Sequence, residues 1–122
     1  MELWAKIGED KIKFQGSFKS VMEQLLEKSQ DKDATLLSFH TNQKERRRFK
    51  REYRAVGKNL VQLAQNYLAW SYLVEIRRLN RKIKELNKRK RVEPKRATFY
   101  ENQIKEIRKQ IEELENKLNN LC

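Results

Sequence analysis

The sequence has one cysteine, one proline, one histidine and three glycines among its 122 residues. The cysteine is the final residue, Cys122, which excludes an internal disulfide or a cysteine-based zinc site within one chain and leaves a bystander thiol. With His40 the sole histidine, no glycine-rich phosphate loop and no identifiable carboxylate pair, catalysis has nothing to stand on. A non-enzyme without cofactor or metal is expected, and His40, beside Phe39, reads as a capping or packing residue. Long hydrophobic runs are missing as well. The stretch "YLAWSYLVEI" contains polar and charged residues and falls short of the roughly 18 needed to span a bilayer. The opening "MELWAKIGED" has no basic segment followed by an apolar one, which argues against a secretory signal. The expected location is intracellular, cytoplasmic or, in a eukaryote, nuclear.

Acidic residues are scarce in one place only. Residues 44–96 hold nineteen Lys/Arg against five Asp/Glu, whereas residues 1–43 hold six against seven and residues 97–122 four against five. The whole excess of +12 therefore lies in the middle of the chain, where it creates a positive potential that attracts polyanions.

What is abundant is helical periodicity. Hydrophobic residues make up 38% and charged residues another 38%, a balance that with so little glycine and proline favours long helices. The fold class expected is mainly α: a long antiparallel, coiled-coil-like helical hairpin packed on a short N-terminal helix, as a single cooperative domain with one core. Within residues 1–41, Leu3, Ala5, Ile7, Ile12 and Phe14 alternate around "GED" and predict a small β-hairpin. Phe18, Val21, Met22, Leu25 and Leu26 then follow helical spacing, with Ser17 or Ser20 as cap and an end near Ser29. "TLLSFH" reads as one or two helical turns.

Residues 42–122 form the hairpin. Asn42 with Glu45 offers an N-cap, and Phe49, Tyr53, Val56, Leu60, Leu63, Tyr67, Trp70 and Val74 keep an unbroken 4,3 spacing, so one helix is expected over 42–91, running through Gly57, with a break at that glycine as the competing reading. A second stripe, from Ala69 and Tyr72 through Ile76, Leu79, Ile83 and Leu86, faces the heptad series Ala97, Tyr100, Ile104, Ile107, Ile111, Leu114, Leu118 and Leu121. The second helix is expected over 98–121, capped by Thr98 and Glu101, with Pro94 at N1 of a longer helix as the competing reading. Trp4 and Trp70 read most simply as core residues, with a subunit interface as the alternative for Trp70, and the surplus of apolar surface between Leu60 and Val74 suggests self-association.

The hairpin's tip is "KRKRVEPKR", residues 88–96, with six cations around the only proline. Arg77, Arg78, Arg81, Lys82, Lys84, Lys88 and Arg89 fall opposite the seam on a helical wheel. A solvated face is the ordinary reading of such a run. The last helix weakens it, because "KEIRKQIEELENK" wets an equivalent face with both signs mixed. The candidate polyanion-binding residues are therefore Lys44, Arg46, Arg47, Arg48, Lys50, Arg51 and Arg54, then Arg77, Arg78, Arg81, Lys82, Lys84, Lys88, Arg89, Lys90, Arg91, Lys95 and Arg96. Phe49 and Tyr53, although set among arginines, lie on the apolar stripe and are expected in the core rather than against bases.

Guanidinium groups pair bidentately with phosphate, and no zinc-finger spacing or RNA-binding string is visible, so backbone contact with RNA or DNA is expected without base readout. The function expected is that of a nucleic-acid-binding accessory subunit of a ribonucleoprotein or DNA-processing complex. The alternative is a coiled-coil scaffold or adaptor that binds an acidic protein. Anionic membrane surface ranks third, since the apolar stripes have partners within the chain.

Overall fold

The computed structural model describes residues 1–30 and 32–121. The terminal thiol of Cys122 lies outside the described residues. The chain is mainly helical with one small sheet: strands β1 (Glu2–Ile7) and β2 (Asp10–Gln15), helix α1 (Phe18–Ser29), strand β3 (Ala34–His40), helices α2 (Gln43–Ala55) and α3 (Leu60–Val92), a short 3-10 turn (Pro94–Arg96) and helix α4 (Ala97–Asn119). Two compact units divide it, Met1–Leu68 and Ala69–Cys122, so the dividing line falls inside α3. No helix among the described residues is long and apolar enough to cross a membrane.

In the first unit the sheet has the order β2-β1-β3 and is antiparallel throughout. The hairpin pairs Glu2 with Gln15 and Ile7 with Asp10. Its two-residue turn starts at Gly8, whose φ of +62° is a left-handed conformation open to glycine without steric cost. Leu3, Ala5, Ile7 and Phe14 are buried, together with Phe18, Val21, Met22 and Leu25 of α1. The Ser17 side chain caps α1 by accepting from Ser20 N–H at 3.1 Å.

"TLLSFH" is a strand, not a helical turn. Along β3, Leu36 pairs with Ala5, Ser38 with Trp4 and Phe39 with Leu3, which leaves Leu37 as an extra residue in a bulge. That residue resets the two-residue period and turns Phe39 toward the face occupied by Leu3 and Ala5. His40 ends this strand exposed, in register with Glu2, and is not a packing residue.

The helix expected over 42–91 is broken. Gly57 N–H bonds to Arg54 C=O at 3.1 Å and Lys58 N–H to Tyr53 C=O at 2.9 Å, the paired bonds of a Schellman stop with Gly57 at φ +62°. Asn59 then restarts the chain as a helix, its Oδ1 accepting from Gln62 N–H at 3.0 Å.

In the second unit, Leu79 and Leu86 of α3 share one core with Tyr100, Ile104, Ile107 and Ile111 of α4, flanked by Ile76, Ile83 and Leu114. Contacts pair the ends next to the connection, Lys90 with Glu101, and those far from it, Tyr72 with Lys117. α4 begins at Ala97, directly after the 3-10 turn led by Pro94, so Thr98 lies within the helix and caps nothing. Trp70 is half exposed rather than a core residue.

Candidate nucleic-acid interface

The first group of cations is carried by α2. Asn42 caps the helix, accepting from Glu45 N–H at 2.9 Å, and Thr41 donates to the Glu45 carboxylate, which places a negative charge at the helix's positive end. One ring anchors the inner face: Phe49 is fully buried, with ring centroids of Phe39, Tyr53 and Phe18 at 4.4, 5.6 and 6.2 Å. Phe49 is thus closed to any base. Because the apolar side is so narrow, the remaining circumference carries Lys44, Arg46, Arg47, Lys50, Arg51 and Arg54, all exposed.

Two shallow concavities lie along this helix. One, of about 460 Å3, is lined by Arg47, Lys50, Arg51, Arg54 and Ala55. The other, of about 480 Å3, is lined by Asn42, Lys44, Glu45, Arg47, Arg48 and Arg51. Arg47 and Arg51 border both, so a single anion between them meets two guanidinium groups.

Arg48 differs from its neighbours. Its Nε donates to Glu52 Oε1 at 3.1 Å and its guanidinium lies 4.9 Å from the Tyr67 ring centroid. Tyr67 in turn packs on Phe18 at 4.5 Å, and burial raises its hydroxyl pKa above the ordinary tyrosine value, against the opposing pull of Arg48. Arg48 therefore ties α2 to the first unit's core.

The second group runs along α3 and into the turn. Four of its cations have carboxylate partners: Arg78 with Glu75 at 2.5 Å, Arg89 with Glu85 at 3.1 Å, Lys90 with Glu101 at 2.5 Å and Arg96 with Glu93 at 3.8 Å. Glu75 raises the Arg78 pKa further, through its hydrogen bond and its charge. The others, Arg77, Arg81, Lys82, Lys84, Lys88, Arg91 and Lys95, are exposed and have no carboxylate within 4.0 Å among the described residues. Of the eighteen cations read from the sequence, five are paired and thirteen have no carboxylate partner among the described residues.

The turn also holds two residues that the heptad pattern passes over. Val92 is 80% exposed and Phe99 49% exposed. Phe99 escapes because it sits one position before the seam residue Tyr100, and Val92 because it falls after the last seam leucine. Pro94, which leads the 3-10 turn after α3, lies between the two in the chain. The Arg96 guanidinium lies 5.1 Å from the Phe99 centroid and 5.7 Å from that of Tyr100. A small hollow of about 180 Å3 is lined by Lys88, Arg89, Val92 and Glu93.

Fold and surface together define a mainly helical protein with a three-stranded antiparallel sheet and two exposed basic clusters, one in each compact unit. The chain belongs to the same family as an uncharacterized protein of Aquifex aeolicus (strain VF5), to which it is 43% identical over 121 residues, spanning 99% of this chain and 93% of that protein. No family model matches the chain, and no solved structure does.

Proposed function

We propose that this protein binds nucleic acid, RNA or DNA, through the phosphate backbone, without catalysis, as an accessory subunit of an intracellular ribonucleoprotein or DNA-processing assembly. The observation that carries the reading is the set of thirteen exposed cations with no carboxylate within ion-pair distance among the described residues, beside a last helix whose charges are mixed. Solubility needs only the mixed kind. In this reading α3 and α4 form an antiparallel hairpin whose basic outer face lies along the phosphates, and α2 supplies a separate basic surface with Arg47 and Arg51 at its centre. Contact with phosphate displaces condensed counterions, so affinity falls steeply with salt.

A titration of random single- and double-stranded RNA and DNA at several salt concentrations tests it. Replacing Arg46, Arg47 and Arg51 by glutamate, and separately Lys88 to Arg91, weakens binding while the helical circular dichroism persists. Undiminished affinity in both variants would overturn the proposal.

A second reading has its own support. Trp70, Leu73 and Val74 lie three and four residues apart on α3 and are each about half exposed, as a helix that docks on another protein would present them. A scaffold that binds an acidic protein would show tight binding to that partner and none of the general affinity for polynucleotides.

A further inference from the structure

We propose that Phe99, backed by the Arg96 guanidinium and sharing its turn segment with the exposed Val92, is a stacking plate for one unpaired base, so that the turn selects single-stranded or frayed nucleic acid over intact duplex. The inference rests on the nucleic-acid reading above and adds to it the kind of strand recognised. Three features of the turn carry it. The first is exposure: Phe99 is half exposed and Val92 four-fifths exposed in a segment otherwise rich in charged residues. The second is the order already imposed on the ring. Phe99 meets Tyr100 edge to face at 5.6 Å and 63°, while Arg96 lies over its face at 5.1 Å, so the plate is held before any ligand arrives. Tyr100 is itself fixed, its ring in the α3–α4 core and its hydroxyl bonded to Glu93.

The third feature is charge. Lys88, Arg91 and Lys95 lie in the same stretch of chain as the plate, exposed and with no carboxylate within 4.0 Å among the described residues, a charge that attracts a phosphate backbone to the segment carrying the aromatic surface. A strand combines those two groups only when its bases are unstacked: an intact duplex offers phosphates but hides base faces, and a single strand offers both. Every base has a π face, so recognition by the plate is indifferent to sequence. The Arg96 guanidinium adds a second planar surface for the same contact. A bilayer would need a broad apolar helix face beside the cations, and here two side chains stand alone next to Glu93.

The test uses the full chain and oligonucleotides that carry 2-aminopurine, either in an unpaired position or in a fully paired duplex of the same sequence. Binding of the single strand changes the 2-aminopurine emission through stacking. Phe99→Ala removes that change and lowers single-strand affinity about tenfold or more, the loss expected for one stacked base, while duplex affinity holds. Phe99→Tyr restores both. Val92→Ala, which leaves the ring in place, gives a smaller loss. Unchanged single-strand affinity and emission in Phe99→Ala, with binding still weakened by charge reversal of Lys88 to Arg91, overturns the plate and leaves the backbone reading intact. Insensitivity to both changes overturns the plate, and insensitivity to charge reversal of Arg46, Arg47 and Arg51 as well overturns the backbone reading with it. Should Phe99→Ala instead release the protein from vesicles of anionic lipid with no effect on oligonucleotides, the turn is a membrane contact and the inference fails.

Discussion

The Tyr100 hydroxyl donates a hydrogen bond to Glu93 Oε2 at 2.5 Å, joining the first turn of α4 to the connection that precedes it. The bond to Glu93 raises the tyrosine's pKa above its ordinary value of about 10, with desolvation and the carboxylate's charge adding to it and Arg96 and Arg89 opposing. A group whose pKa is raised on folding contributes stability that is present below its unfolded pKa and lost as pH rises through the folded one. The bond therefore holds throughout the neutral range and yields only in strong alkali. Tyrosinate absorbance titrations check this: Tyr100→Phe removes a late-ionising group, and Glu93→Gln moves Tyr100 back toward about 10.

Phe49 is the only residue of α2 with its whole side chain buried. Phe49→Ala deletes the ring that Phe18, Phe39 and Tyr53 surround, and destabilises the protein by about 3–5 kcal/mol. Denaturant unfolding monitored by circular dichroism measures the loss. Phe49→Leu, which retains much of the volume, costs distinctly less.

Gly57 and Lys58 both occupy positive φ, +62° and +61°, at the stop between α2 and α3. A Cβ at Gly57 meets nothing within 4 Å, so Gly57→Ala carries only the backbone cost of a left-handed alanine, about 1 kcal/mol. At Lys58 the reverse substitution, Lys58→Gly, is expected to be neutral or slightly stabilising. Comparing thermal midpoints of the two variants reads the sign at each position.

Adjacent arginines on α2 are expected to separate binding from stability. Arg48 bonds Glu52 and covers Tyr67, so Arg48→Ala lowers stability by about 1 kcal/mol, most of it from the partly exposed pair and the ring contact. Arg47 borders both concavities of α2 and has no carboxylate partner among the described residues. Arg47→Ala leaves the melting curve in place and lowers the slope of log affinity against log salt by a little under one. Equal effects of the two substitutions on both measurements would contradict this division.

Much of the first unit is readable from residues alone, since each of its early elements states its period and its cap. Leu3, Ala5 and Ile7 alternate and form β1; Phe18, Val21, Met22 and Leu25 recur every three or four residues and form α1, capped by Ser17. β3 hides because its bulge at Leu37 sets two leucines side by side and spoils the alternation that marks a strand. The stop at Gly57 was signalled chemically, by a glycine where a left-handed residue must stand and an asparagine two residues later. The 4,3 series masked it, because the four residues from Val56 to Asn59 occupy about one helical turn and keep the apolar numbering intact. Thr98 fails as a cap for a related reason: Pro94 begins the turn upstream, and by residue 98 the helix is already under way.

The candidate surface was legible as a list of cations but not as a set of free ones. Pairs on one helix, such as Arg89 with Glu85, follow from four-residue spacing, whereas Lys90 with Glu101 joins two helices and needs three dimensions. The exposure of Val92 and Phe99 is of the same kind, a property of the folded chain rather than of any repeat.

The uncompensated cations also act on the protein when nothing is bound. Crowded on one side of a helix, they push against one another through the solvent, and added electrolyte damps that push within roughly 10 Å at 0.1 M. The empty protein should accordingly melt at higher temperature as salt is raised, over the same range in which a bound polyanion lets go. Fold and grip then answer the same ions in opposite directions, and a melting series on the unliganded chain gauges the imbalance with no partner in the tube.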